Sequence, residues 1–159
     1  MDRIIDDPAP EGAPLRRGWT TGACATAAAK AAYQALRAGL FPDPVLIALP
    51  RGGAASFPLA EAALGAGWAS AGVEKDAGDD PDVTHGAVIR ARVTPAPMGA
   101  GVSFAAGEGV GRVTLPGLPI PPGEPAINPT PRAMIRAALA EVAASLGEPP
   151  PDVRVEISV

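Results

Sequence analysis

Glycine and proline interrupt this chain so often that no long regular element can run through most of it. Nineteen glycines and twenty prolines stand among its 159 residues. Low-complexity chains begin at a combined glycine and proline content of about 25–30%. Two other counts argue for a folded chain, because 34 residues are Leu, Ile, Val or Phe and the formal net charge is only −4. We therefore expect one folded unit of short elements. Its core is rich in the 34 alanines and poor in aromatic side chains, of which there are six.

The charge and cysteine content exclude several classes of protein. Lys and Arg total 13 against 17 Asp and Glu, which excludes a general nucleic-acid binder because phosphate neutralisation needs a basic surface. No apolar run approaches the length of a membrane span, so no membrane partner is expected. A single cysteine, Cys24, excludes an internal disulfide and favours the reducing cytoplasm. Residues 1–14 are acidic and proline-rich, unlike a signal peptide, and predict a flexible N-terminal tail.

Two helices and six strands are predicted. Thr20 or Thr21 caps a run of helix formers at about 22–38, whose alanine face suits close approach to a sheet. Thr130 caps a second helix at about 131–146, with Pro131 at its first position and an apolar stripe of Met134, Ile135, Ala138, Leu139, Val142 and Leu146. The strands are expected at 45–49, 54–59, 68–74, 87–94, 102–105 and 153–159. Hairpin-like spacing favours an α+β fold: a mixed or antiparallel sheet with both helices packed on it, in a single domain at 15–159.

Three segments contain residues able to bind a ligand, and each also has a purely structural explanation. The glycine-rich segment 107–112 suits a ligand loop or a bulged hairpin, but no Rossmann site, because Val113 to Gly117 cannot start a helix. The start of the first helix can receive a carboxylate or phosphate. There Cys24 is either a low-pKa thiol or, as we favour, a small buried side chain. The acidic segment 74–86 is either a solvated turn or a set of carboxylates for ribose hydroxyls or a cationic ligand.

Metal sites and nucleophilic triads find no support in the same segments. The acidic spacing misses the EF-hand pattern, and one cysteine with one histidine far away gives no zinc site. His85 has no motif around it that would suggest a serine–histidine–acid arrangement. The proline-rich run 116–129 is stiff and carries interleaved apolar residues, so we expect it to lie on the protein surface. The alternative is an exposed proline-rich ligand for a partner domain.

Four blocks at 15–25, 75–86, 107–114 and 116–129 occur in one order along the chain. Together they resemble the cobalt-precorrin-5B C1-methyltransferases of anaerobic cobalamin biosynthesis, over nearly all of 15–159. The resemblance implies methyl transfer from S-adenosylmethionine to ring carbon C1, giving cobalt-precorrin-6A. Cobalt would enter only as part of the tetrapyrrole substrate, and no protein metal site is implied. Members of the family are longer, so this chain resembles their N-terminal half.

The resemblance assigns candidate roles to residues of these blocks. Guanidiniums and a helix start suit the carboxylates of the substrate, whereas carboxylates suit ribose hydroxyls or the sulfonium charge. The substrate-binding candidates are Arg16, Arg17, Thr20, Thr21, Gly22 and Arg112. The cofactor-binding candidates are Asp79, Asp80, Gly107, Gly109 and Gly111. The catalytic candidates are His85, which would take a proton from the macrocycle, and Asp76.

Other functions remain open on the sequence alone. The chain is either part of the methyltransferase, a non-catalytic tetrapyrrole-binding or protein-interaction domain, or an inactive fragment of a split reading frame. Its alanine-rich core, short of large side chains, favours completion by a partner. That partner would be a missing C-terminal half or a second copy in a homo-oligomer.

Overall fold

The computed structural model describes residues 20–76, 86–114 and 120–159. The tail predicted at 1–14 lies outside these ranges. Two helices and seven strands occur within them. The helices are α1 (Thr21–Ala38) and α2 (Pro129–Ser145). The strands are β1 (Val45–Ala48), β2 (Ala54–Phe57), β3 (Glu61–Gly65), β4 (Trp68–Glu74), β5 (Val88–Pro95), β6 (Val102–Ala106) and β7 (Val153–Ser158).

Five strands form one mixed sheet in the order β3-β4-β5-β7-β6, and β1 and β2 form a separate antiparallel hairpin. All pairs in the large sheet are antiparallel except β6 with β7, which run parallel. The α+β class with a mixed sheet is confirmed. Because β4, β6 and β7 point the same way, all three finish at one end of the sheet.

α1 occupies the centre of the molecule. It packs against β4 and β5 on one side, α2 on another and β1 on a third. Burial follows on nearly every face, and six of its residues have no exposed surface: Cys24, Ala27, Ala28, Ala29, Ala31 and Ala32. A helix that is apolar all round belongs in a core, and small side chains let the backbone of α1 approach its neighbours on each side. The predicted close packing of this helix on the sheet is confirmed.

α2 lies on α1 and has a single buried stripe. Ile135, Leu139 and Val142 follow the spacing of one helical face and are buried. Met134 and Ala138 from the predicted stripe are half-buried. Leu146, which ends that predicted stripe, is 40% exposed.

The two helices run parallel, side by side. The Lys30 ammonium, near the middle of α1, lies 2.6 Å from the carboxylate of Glu141, which is four residues before the end of α2. The Arg37 guanidinium, in the last turn of α1, lies 2.8 Å from the carboxylate of Glu148, just beyond the end of α2. Both helices therefore begin at the same end of the domain. We call this the helix-start end. It comprises Thr20–Gly22, Lys75–Asp76, Gly107–Val113 and the described residues 120–132.

The predicted elements needed two corrections. β3 was missed because its Glu-Ala-Ala-Leu sequence favours helix. It becomes an edge strand through a two-residue hairpin in which Gly67 has φ 76°. The predicted cap of α2 at Thr130 was wrong, since the helix begins two residues earlier with Asn128 as the N-cap. Pro129 takes the first helical position, where a missing N–H is tolerated.

Candidate functional site at the start of the two helices

The first turn of α1 is held by threonine side chains. Thr20 is the N-cap, and its hydroxyl oxygen accepts a hydrogen bond from the Ala23 N–H at 2.9 Å. The Thr26 hydroxyl donates to the Gly22 carbonyl oxygen at 2.8 Å. No acidic residue occurs in this first turn. The positive end of the helix dipole is therefore not neutralised by a carboxylate of its own first turn.

The two helix starts touch each other. A Cβ added to Gly22 would lie 2.9 Å from the Pro131 side chain, so glycine is what permits this approach. α2 likewise has no acidic residue in its first turn. The positive ends of two parallel helix dipoles consequently lie side by side, an arrangement that attracts anionic groups.

β4 leads into the acidic segment at the same end. The Lys75 N–H donates to the Ala87 carbonyl at 2.8 Å, and the Gly86 N–H donates back to the Lys75 carbonyl at 2.8 Å. Lys75 is only 6% exposed, and the following Asp76 is half-buried. The β4–β5 pairing thus continues one step past the strands and fixes where the acidic segment leaves the sheet.

Cys24 lies beneath this corner and is fully buried. Burial raises the pKa of its thiol to about 11, although the nearby positive charge of Lys75 lowers the pKa in part. The low-pKa alternative for Cys24 is therefore wrong, because loss of hydration outweighs the helix start and the lysine. The favoured interpretation, a small buried side chain, is confirmed.

The glycine-rich segment follows β6 and wraps around the end of β7. The Gly107 N–H donates to the Ile157 carbonyl at 2.8 Å, and the Val159 N–H donates to the Glu108 carbonyl at 2.8 Å. Gly109 has φ 79°, and a Cβ there would lie 2.7 Å from the Val159 carbonyl oxygen. Close backbone packing therefore accounts for the first two predicted cofactor glycines. Gly111 is exposed, and among the described residues beyond its chain neighbours no atom lies within 4 Å of its Cβ position.

The described part of the proline-rich run pairs with the glycine-rich segment. The Ala126 N–H donates to the Gly111 carbonyl at 2.8 Å, and the Val113 N–H donates to the Glu124 carbonyl at 2.9 Å. Ile120 and Ile127 are buried. This part of the run lies against the protein surface, as predicted, and does not extend freely as a ligand for another domain.

Arg112 lies at the outer side of this pairing. It forms an isolated antiparallel bridge with Pro125, and its Nη1 donates to the Gly123 carbonyl at 3.1 Å. The residue is exposed, and no second acceptor among the described residues bonds its guanidinium. A guanidinium held in this way keeps donors for a carboxylate.

Eight of the thirteen predicted site residues lie at the helix-start end, and five lie outside the described residues. The eight are Thr20, Thr21, Gly22, Asp76, Gly107, Gly109, Gly111 and Arg112. The five are Arg16, Arg17, Asp79, Asp80 and His85. Asp76 follows β4 and Gly107 follows β6, three strands apart, which corresponds to roughly 14 Å along the sheet end. The helix starts form a second row beside these strand ends.

Sequence reasoning missed Arg132 at this end. Its Nε donates to the Ile127 carbonyl and its Nη2 to the Pro125 carbonyl, both at 2.8 Å. Its position four residues after the N-cap Asn128 was a usable signal. An arginine in the first turn of a helix can turn back to the loop that precedes the helix.

A cleft elsewhere contains none of the predicted residues. It measures about 150 Å³, small beside typical ligand pockets of about 300–1,000 Å³. Its walls include Thr26, Lys30, Ile47, Met134 and Glu141. Across residues 20–76, 86–114 and 120–159 no three metal-ligating side chains cluster. Over the same ranges no helix has the length and apolarity to cross a bilayer.

Comparison with known proteins adds an independent observation. A relative in Brucella anthropi named cobalt-precorrin-5B C(1)-methyltransferase is 62% identical over 149 residues, which are 94% of this chain and 40% of that protein. The relative of the same name in Rhodospirillum rubrum is 59% identical over 96% of this chain and 41% of its own length. This chain therefore spans about 40% of the length of these curated relatives.

A solved structure shares the fold. The crystal structure of the cobalamin biosynthesis protein CbiD from Archaeoglobus fulgidus is similar with a TM-score of 0.65 and 29% sequence identity. The match covers 91% of this chain and 44% of that one. The sequence model of the family CbiD matches residues 9–159. With nearly the whole chain matched, the protein belongs to the CbiD family.

Proposed function

We propose that this chain forms the N-terminal part of an S-adenosylmethionine-dependent methyltransferase that converts cobalt-precorrin-5B to cobalt-precorrin-6A by methylating ring carbon C1. One observation carries the proposal: relatives named for this activity are about 60% identical across 94% of the chain. Because the chain spans only 40% of their length, the complete activity requires the remaining part of the protein. We place the reaction in the cytoplasm, because its reducing conditions keep a free cysteine such as Cys24 in the thiol form.

The helix-start end suits the substrate by its charge. Cobalt-precorrin-5B is a macrocycle fringed with carboxylates, and two helix starts without acidic residues in their first turns meet at Gly22 and Pro131. Among the described residues, no acceptor bonds the Thr21 and Gly22 N–H groups. We propose that these donors and Arg112 bind substrate carboxylates, joined by Arg16 and Arg17 from the preceding block.

The methyl donor needs hydrogen-bonding groups of a different kind. S-adenosylmethionine, when bound, supplies an electrophilic methyl group on a positively charged sulfur. Asp76 at the end of β4 fits a ribose hydroxyl or the sulfonium charge, and the open side of Gly111 leaves room for a ligand against the backbone. We assign Asp79 and Asp80 the same task as Asp76. Gly107 and Gly109 contribute by holding the glycine-rich segment against β7.

The reaction requires positioning more than a nucleophilic side chain. A carbon–carbon bond forms at C1 as the bond between the methyl carbon and sulfur breaks, and the electron pair of the broken bond remains on sulfur. Holding the methyl carbon and C1 in the orientation for transfer supplies much of the reduction in the activation barrier. His85 is proposed as the group that receives a proton from the macrocycle. Asp76 is proposed to support the charge of the reacting centre.

Coexpression with the complementary part of a relative tests the activity. The chain is combined with the portion of the Brucella anthropi protein that follows the matched region, and the pair is given cobalt-precorrin-5B and S-adenosylmethionine. We expect a product heavier by one methyl group, identified by mass spectrometry after chromatography. The control is the complementary part without this chain. If verified substrate yields no methylated product while the intact relative is active, the assignment fails.

Binding by the chain alone separates the enzyme from a binding domain. We expect weak or no calorimetric binding of S-adenosylmethionine, and a tetrapyrrole absorbance shift that Arg16→Ala and Arg17→Ala both reduce. Arg154→Ala, at an exposed position near the start of β7 and thus at the opposite end of the sheet from the helix-start end, serves as the control. Tight one-to-one binding of S-adenosylmethionine would contradict the need for the remaining part. Unchanged tetrapyrrole affinity in both arginine variants would remove those residues from the site.

A further inference from the structure

Arg132 connects α2 to the loop that precedes it. It is the fourth residue of the helix, and 14% of its side chain is exposed. Its Nε and Nη2 each donate to a backbone carbonyl at 2.8 Å, from Ile127 and Pro125 respectively. Hydrogen bonds from charged donors are stronger than those between neutral groups. Two such bonds from one planar guanidinium fix the orientation of both carbonyls.

The carbonyls that Arg132 holds flank the residue that pairs with the glycine-rich segment. Between them, the Ala126 N–H donates to the Gly111 carbonyl at 2.8 Å. Beyond them, the Val113 N–H donates to the Glu124 carbonyl and the Gly123 N–H donates to the Val113 carbonyl, at 2.9 and 2.7 Å. The guanidinium therefore acts on the 111–113 backbone through one intervening layer of hydrogen bonds.

Two further contacts limit where the guanidinium can move. Its carbon lies 5.2 Å from the centre of the Phe104 ring on β6, within the range of a cation–π interaction. Its Nη1 lies 3.5 Å from the Glu124 carboxylate. Arg132 thus joins α2 to Phe104 on β6, to the Glu124 side chain and to the backbone of Pro125 and Ile127. Lysine could not reproduce this, because an ammonium lacks the planar fork of donors.

We infer that Arg132 is a positioning residue, which sets the conformation of the Gly111–Val113 backbone and through it the binding of the methyl donor. The inference rests on the proposed function for its second half only. Gly111 is the exposed glycine of its segment, with no atom of the described residues beyond its chain neighbours within 4 Å of its Cβ position. The glycines before it are packed against β7 and cannot shift independently of the sheet.

Arg136 offers a matched control one helical turn later. Its guanidinium carbon lies 4.9 Å from the centre of the same Phe104 ring. Its hydrogen bond is a single one of 3.4 Å to the Val102 carbonyl. Arg132→Lys and Arg136→Lys therefore alter the same aromatic contact and keep the charge, and only the first removes the paired carbonyl bonds.

Amide hydrogen exchange in the chain itself measures the structural half. We expect Arg132→Lys to speed exchange of the Ala126 and Val113 amides by about tenfold or more, the effect of losing charged hydrogen bonds on local opening. Arg136→Lys should leave both unchanged, and the Val93 amide in β5 serves as an internal reference. Equal exchange in the two variants would overturn the inference. So would parallel acceleration at Val93, which would mean a general loss of stability.

Steady-state kinetics of the coexpressed pair measures the functional half. We expect Arg132→Lys to raise KM for S-adenosylmethionine by about tenfold with kcat nearly unchanged, and Arg136→Lys to leave both constants as they are. An active pair in which Arg132→Lys leaves KM unchanged would make the residue merely structural and overturn the inference. A wholly inactive pair would instead count against the proposed function, and the exchange result would still decide whether Arg132 sets the backbone conformation.

Discussion

α1 and α2 are nearly equal in length, lie side by side and run in the same direction, yet they are stabilised in different ways. α1 is covered by the sheet, by α2 and by the β1–β2 hairpin, and its buried side chains are mostly single methyl groups. α2 buries one stripe that includes Ile135 and Leu139. The packing of α1 depends on small side chains that allow its neighbours to come close, whereas the packing of α2 depends on a few large side chains.

Removing a large side chain from the stripe of α2 should have the largest effect. Leu139 is fully buried, so Leu139→Ala leaves a cavity against α1 and should lower the free energy of unfolding by about 2–5 kcal/mol. Urea unfolding followed by circular dichroism measures the change. Leu146→Ala, at a leucine that is 40% exposed at the end of the same helix, is the control and should change stability far less. Equal losses would show that α2 is not held by its stripe.

Enlarging a side chain of α1 is expected to have the next largest effect. Ala28 is fully buried, and Ala28→Leu should destabilise the domain by about 1–3 kcal/mol, because the helix would be pushed from its neighbours. The matched change Ala140→Leu adds the same atoms at an exposed position of α2. We expect that variant to unfold at nearly the wild-type urea midpoint. A neutral Ala28→Leu would mean that α1 has spare room around it.

The sequence predicted the extent of α1 far better than its surroundings. Thr20 and Gly39 bracket the helix as a cap and a left-handed residue, because both signals are local. Burial on three sides could not be derived from alanines alone, since alanine favours helix whether it is exposed or buried. For α2 the reverse holds. Its stripe predicted the buried face, while the prolines at 129 and 131 left the first residue ambiguous by two positions.

Loss of the cap on α1 should have a moderate effect. Thr20→Ala removes the acceptor for the Ala23 N–H and should lower the free energy of unfolding by about 1 kcal/mol. Thr20→Ser keeps the oxygen and should restore most of the loss, as thermal unfolding would register. α2 has no side-chain cap bond, so Asn128→Ala should cost less. A larger loss for Asn128 than for Thr20 would reverse this contrast between the two helix starts.

The ion pair at the far ends of the helices should have the smallest effect and should depend on pH. The Arg37 guanidinium, through its hydrogen bond, lowers the pKa of Glu148 below its usual range. The stabilisation is therefore present above the ordinary glutamate pKa and disappears as the pH falls through the lower pKa of the folded state. We expect Glu148→Gln to be slightly less stable than wild type at pH 7. The two should converge in acid, as urea midpoints across pH would measure, whereas a difference independent of pH would exclude this pair as its source.

The candidate site was predicted in its parts but not in its arrangement. Helix starts, acidic residues and glycines carry local signals, so Thr20, Asp76 and Gly111 could be named from the sequence. Their meeting at one end depends on β4 and β6 running in the same direction within the sheet, which only the strand order determines. The packing of Gly109 against Val159 joins residues fifty positions apart, and no sequence motif predicts such a contact.

The place of β7 governs the order in which the chain can fold. It is the last of the described strands along the sequence, yet it lies between β5 and β6 and pairs with both. During synthesis, β6 cannot join the sheet until Val153 to Ser158 have left the ribosome. Until then the neighbouring edge of β5 stays unpaired and open to unwanted pairing with other chains. A nascent chain of this protein therefore carries an incomplete sheet until β7 inserts, and that interval is when a chaperone would be of most use.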